Sequence, residues 1–165
     1  MKRAVDQQLI EKLLEADYWV IDILPRQVAA NSAGQYPQVD SYFRQPSQLK
    51  KTRESFAQIL LKLNCYHDLL VCEGESENWE KNVSPEKLVK LLVSPEGNVC
   101  LNILVEGQDA LITFDSADTC MAVYNPSSAL RTLLQKLASS YGLFFWQPPQ
   151  GKRKSEEKLR EWRVM

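Results

Sequence analysis

Residues 99–124 read VCLNILVEGQDALITFDSADTCMAVY. Three runs rich in β-formers, Val99 to Val105, Ala110 to Asp115 and Cys120 to Tyr124, are separated by Glu106-Gly107-Gln108-Asp109 and by Ser116-Ala117-Asp118-Thr119. Connections this short, made of turn residues, predict an antiparallel meander. In the first run Val99, Leu101, Ile103 and Val105 alternate with Asn98, Cys100 and Asn102, so one face of that strand is apolar.

The flanks read as helices. Upstream, Ser84-Pro85-Glu86 supplies a hydroxyl N-cap, a proline where its missing N–H costs nothing, and an acid against the helix dipole. Leu88, Leu91 and Leu92 form the apolar stripe of that helix, and Pro95-Glu96-Gly97-Asn98 turns it into the meander. Downstream, Asn125-Pro126 opens a helix with Leu130, Leu133, Leu134, Leu137 and Tyr141 at helical spacing, closed by Gly142. A last strand from Leu143 to Gln147 stops at Pro148-Pro149.

Towards the N-terminus the signals alternate. Val5, Leu9, Ile10, Leu13 and Leu14 predict a first helix. Tyr18 to Leu24 reads as a strand apolar on both faces, with Asp22 the one charge in it. Residues 25–48 carry three prolines and five glutamines and exceed a passive connection, with a short helix expected from Val39 to Arg44. Leu49 to Asn64 is a helix with Phe56, Ile59, Leu60 and Leu63 inward, followed by a strand from Tyr66 to Glu73 and an acidic loop from Gly74 to Glu80. The order predicts an α+β fold: a mixed, largely antiparallel sheet of about five to six strands with helices mainly on one face. Residues 1–149 read as one domain and 150–165 as a charged tail.

A hydrophobic share of 44% and a charged share of 25% exclude a mostly disordered chain. The net charge of −1 provides no global field to attract nucleic acid or an anionic membrane. The tail departs from this balance. Six basic residues against three acids leave 151–165 at +3, so the remaining residues carry −4. Ser155-Glu156-Glu157 can cap a short helix presenting Leu159 and Trp162 three positions apart, which needs a docking surface to be ordered. The favoured surface is the acidic 73–80 loop of the same or another chain; a solvated, disordered end is the next alternative, and nucleic-acid binding through Trp162 the least favoured.

No apolar run has the length of a secretory signal core or of a membrane-spanning helix. Cys65, Cys72, Cys100 and Cys120 lie too far apart in sequence for a metal knuckle or a redox pair, and read as reduced thiols of a cytoplasmic protein. The sequon Asn82-Val83-Ser84 is then unused. His67, the single histidine, shares its expected strand face with Leu69 and Val71, a packing pattern. No glycine-rich phosphate loop, H-E-x-x-H or G-x-S-x-G motif occurs, and no cofactor is implied. The alternative of metal-assisted hydrolysis would need Asp22, Asp68, Asp115 and Asp118 to converge. The favoured expectation is a non-catalytic module that binds a protein partner, with self-association as a further possibility. Its contact residues would be Arg26, Gln35, Tyr36, Tyr42, Phe43, Arg44 and Trp162, because aromatics and arginines among neutral amides match the composition of protein interfaces.

Overall fold

The meander at 99–124 forms the middle of the sheet, and the rest of the chain wraps outward from it. A computed structural model describes residues 2–74, 76–94 and 99–150, the first two by their backbone only. The tail from 151, with Trp162 and its expected helix, and the turn at 95–98 lie outside the described residues.

The elements are β1 (Lys2–Arg3), α1 (Gln7–Leu14), β2 (Tyr18–Asp22), α2 (Tyr36–Phe43), α3 (Pro46–Leu63), β3 (Leu69–Glu73) and β4 (Trp79–Lys81). They continue as α4 (Pro85–Val93), β5 (Cys100–Val105), β6 (Ala110–Asp115), β7 (Cys120–Tyr124), α5 (Ser128–Ser139) and β8 (Phe144–Trp146). All strands join one sheet in the order β1-β4-β3-β5-β6-β7-β2-β8, and every pairing is antiparallel. Two short strands, β1 and β4, take the count above expectation. β4 lies where the sequence reads as acidic loop: three residues are too few to show a strand period, but Trp79 is buried there. The strand after α3 begins at Leu69, because residues 64–67 form a turn that leaves Tyr66 exposed and His67 half-buried outside the ladder.

The topology explains why the helices gather on one face. β4 and β5 run parallel but flank the antiparallel β3; β7 and β8 run parallel but flank β2. Their crossovers through α4 and α5 advance in the same direction along the sheet, so connections of one hand put both helices on the same face. The crossover from β2 to β3 through α3 reverses both strand direction and travel, which returns α3 to that face. The β1–α1–β2 crossover reverses strand direction alone. Connections of the same hand therefore put α1 on the opposite face, where it is found.

Two cores result. Between the sheet and α3, α4 and α5 lie Phe56, Leu60, Leu88, Ile103, Ile112, Phe114, Val123 and Leu134. Beneath α1 a smaller core joins Ile10, Leu13, Tyr18, Val20, Leu104, Leu111 and Tyr124. Ser84 caps α4 as the sequence indicates, its Oγ accepting from the Lys87 amide; α5 starts at Ser128, past the expected Asn125-Pro126 opening, with Ser127 Oγ accepting from the Leu130 amide as its cap. Gly142 ends α5 at φ +72°, a left-handed conformation that only glycine adopts without strain. Gln150 belongs to the folded body, its side-chain amide bonding both the N–H and the carbonyl of Tyr18 (3.0 and 3.2 Å) along the edge of β2.

Cysteine environments differ sharply. Cys65 and Cys100 are exposed, whereas Cys72 is buried in β3 and its thiol is pushed up from the ordinary range, first by desolvation and then by the Glu73 charge. A thiolate is the reacting species. Under native conditions near neutral pH, a thiol reagent should therefore label Cys65 and Cys100 rapidly and Cys72 only on unfolding. Peptide mapping of the labelled protein checks this, and rapid native labelling of Cys72 would contradict its buried setting.

Candidate functional site

The segment from Pro25 to Gln45 folds as a loop followed by α2, with two residues, Arg44 and Gln45, between α2 and α3. Tyr36 and Pro37 open the helix, the proline occupying the first turn, where its missing donor costs nothing. The helix is longer than expected and starts three residues earlier. Its eight residues include none that is buried. An isolated helix of this length is marginal in water, so α2 needs external fastening.

Arg44 supplies much of it. Its Nε donates to Asp40 Oδ2 (2.9 Å), and its Nη1 donates to the Ala117 carbonyl (2.8 Å) with Asp118 Oδ1 at 3.5 Å. Arg53 of α3 does likewise one residue earlier, donating from Nη1 to the Ser116 carbonyl (3.0 Å). The β6–β7 turn is in its turn rigid: Ser116 Oγ accepts from the Val99 amide, and Asp115 Oδ1 from the Ala117 amide. Two arginines thus anchor α2 and the middle of α3 to one turn of the sheet. Desolvation holds the Arg53 guanidinium below its ordinary value.

With α2 anchored this way, its outer side stays open. Val39 and Tyr42, three positions apart on one helical face, are 43% and 49% exposed, and the Tyr42 ring meets Phe43 edge-on at 5.3 Å. Gln35 and Arg26 are exposed nearby in sequence, and Tyr36 is half-buried. Arg26 and Tyr36 share a crevice with Asp22, Gln27, Asp40 and Trp146 that has a volume of only about 10 Å³, room for a single water. Asp22 itself is buried at the end of β2, where its Oδ1 accepts from the Ile23 amide at 2.8 Å. Phe144, opposite Asp22 in register on β8, is a further exposed aromatic at this edge. The sequence does not single out Val39 or Phe144; their only signals are the i, i+3 spacing to Tyr42 and a place on a short terminal strand.

The aspartates do not gather. Asp115 and Asp118 bracket the β6–β7 turn and Asp22 lies at the same end of the sheet. Asp68 is at the other end, 2.8 Å from Asn82 Nδ2 and 3.3 Å from Lys81 Nζ. Lys81, held by Glu106 at 3.1 Å as well, has its ammonium pushed above the ordinary value by those two carboxylates. Among the described residues no group of three or more His, Cys, Asp or Glu side chains is placed to hold a metal ion. No described helix is long and apolar enough to cross a membrane. Comparison of the chain with protein-family models, with curated proteins and with solved structures finds no match.

Proposed function

We propose that this protein is a non-catalytic module that binds a protein partner across the outer face of α2 and the loop before it. The observation that carries the reading is α2 itself: a helix fastened to the sheet at its C-terminal end, with no buried residue and with Val39 and Tyr42 facing out. Fastening of this kind preorganises a contact surface, which lowers the ordering cost of association. The adjoining crevice is too small for a metabolite, which favours a broad contact over a pocketed ligand.

Roles divide within the segment. Val39 and Tyr42 are the apolar centre, Arg26, Gln35 and Tyr36 the polar surround, Arg44 holds the helix, and Phe43 stands half-buried against the Tyr42 ring. The informative variant is therefore Val39→Ser/Tyr42→Ser, which removes the outer face and leaves the arginine anchors in place. Both positions are open to solvent, so the fold should lose no more than about 0.5 kcal/mol. Proteins captured by the wild type and lost with this variant, at an unchanged thermal midpoint, are the expected result. Capture of the same proteins by both would remove α2 from the reading.

A further inference from the structure

On the opposite half of the sheet, between the β3–β4 hairpin and α4, lies a cavity of about 220 Å³. Its lining is mixed: Val71, Val83 and Leu91 are apolar, and Glu73, Glu80 and Lys87 are charged, with Glu80 paired to Lys87. Glu77 is exposed in the same loop. We propose that this cavity receives Trp162, with Leu159 packed at its mouth, from the C-terminal segment of a second copy, so that two chains exchange their tails in a two-fold dimer.

Three observations converge on that occupant. The first is charge: residues 151–165 carry +3 and the rest of the chain −4, with acids beside the cavity. The second is chemistry. Leu159 and Trp162 share one face of the helix that Ser155-Glu156-Glu157 would start, and an apolar-floored recess of this volume suits one large side chain of that kind. Amphipathic helices are commonly held in such grooves by anchors at this spacing.

The third is reach. Gln150 is tied to Tyr18 on the β8 side of β2. From there to β3 the order β8-β2-β7-β6-β5-β3 spans five strand spacings, about 24 Å at about 4.8 Å each. Moreover, the cavity opens on the face that carries α3, α4 and α5, so a path from Gln150 must also skirt those helices. With Ser155 as the cap, residues 151–154 span about 14 Å at most, and the helix carries Trp162 about 10 Å further. That sum only equals the straight in-sheet distance, so the detour around the helices puts the chain's own cavity out of reach, whereas a second copy has no such limit. Reciprocal exchange closes as a two-fold dimer with both cavities filled. This surface is separate from α2, and the inference does not rest on the partner-binding reading.

Light scattering and sedimentation of the full chain test it. Wild type should have twice the 18.9 kDa chain mass at about 100 μM. Leu159→Ser/Trp162→Ser should dimerise at least about tenfold more weakly, as expected for loss of interface anchors. Glu73→Arg/Glu77→Arg and Lys158→Glu/Arg160→Glu should each weaken self-association to a similar degree. Mixed in equal amounts they should recover a dimer, since each tail then meets a cavity rim of opposite charge. Thermal midpoints within a few degrees of wild type keep the reading on association, because Glu73 and Glu77 are exposed. A monomeric wild type overturns the proposal, whether or not its tail docks on its own chain. So does a dimer that survives loss of Leu159 and Trp162, or a mixture that stays monomeric.

Discussion

Replacing Phe114 by alanine should cost about 3–5 kcal/mol, the range for truncating a buried aromatic in a well-packed core. Phe114 is 2% exposed on β6, its neighbours in register are Leu101 and Met121, and its ring meets that of Phe56 on α3 edge-on at 6.4 Å. Truncation leaves a void that these side chains fill only partly, and it removes an aromatic pair worth about 0.5–1.5 kcal/mol beyond its buried area. Domains typically hold about 5–15 kcal/mol in total. The loss is thus a large share of stability and should lower the thermal midpoint by roughly 10 °C. Phe114→Leu, which keeps most of the volume, should cost less than half as much, and Phe144→Ala at the exposed edge should cost little. Denaturant melts of the three variants provide the check. A Phe114→Ala loss below about 1 kcal/mol would mean that α3 does not seal the sheet at that point.

Asn82 should prove the most sensitive exposed position. It follows β4 in the left-handed region, at φ +49°, and its side chain behaves like a further length of strand. Asn82 Oδ1 accepts from the Leu69 amide and from Asn64 Nδ2, both at 2.9 Å, while Asn82 Nδ2 donates to Asp68 Oδ1 at 2.8 Å. Its own amide donates to the Leu69 carbonyl at 2.8 Å. One residue thus ties the end of α3 to the start of β3 and the end of β4. Asn82→Ala removes three side-chain bonds and leaves a Cβ residue in the left-handed region, a combined cost of about 2–3 kcal/mol after allowance for solvent. Asn82→Gly loses the same bonds but tolerates the backbone, so it should be milder by about 1 kcal/mol. Equal losses in the two variants would assign the whole effect to hydrogen bonding and none to the backbone.

Asn82 shows where the sequence falls silent. Asn-Val-Ser reads as an idle glycosylation signal, because nothing local reveals that Leu69, Asn64 and Asp68 will surround it. His67 fails in the other direction. Its expected face-sharing with Leu69 and Val71 presumes a strand that starts at Tyr66, but the turn after α3 carries on to His67. The candidate contact segment is partly legible: its composition marks 25–48 as unusual, and Tyr42 is indeed at its outer face. Arg44 reads as a contact residue from composition alone, and only the β6–β7 turn that it bonds shows how it anchors α2.

The sequence by itself determined the helices, the meander and the caps at Ser84 and Gly142, because each depends on residues within a turn or two of one another. It also determined the α+β class, through the change from helix-linked to hairpin-linked strands. Tertiary structure alone decided that β2 enters between β7 and β8, that β3 enters between β4 and β5, and that α1 crosses to the other face. Strand partners far apart in the chain are selected by which apolar faces close over a common core and by the hand of the crossovers, and neither is written in any local pattern.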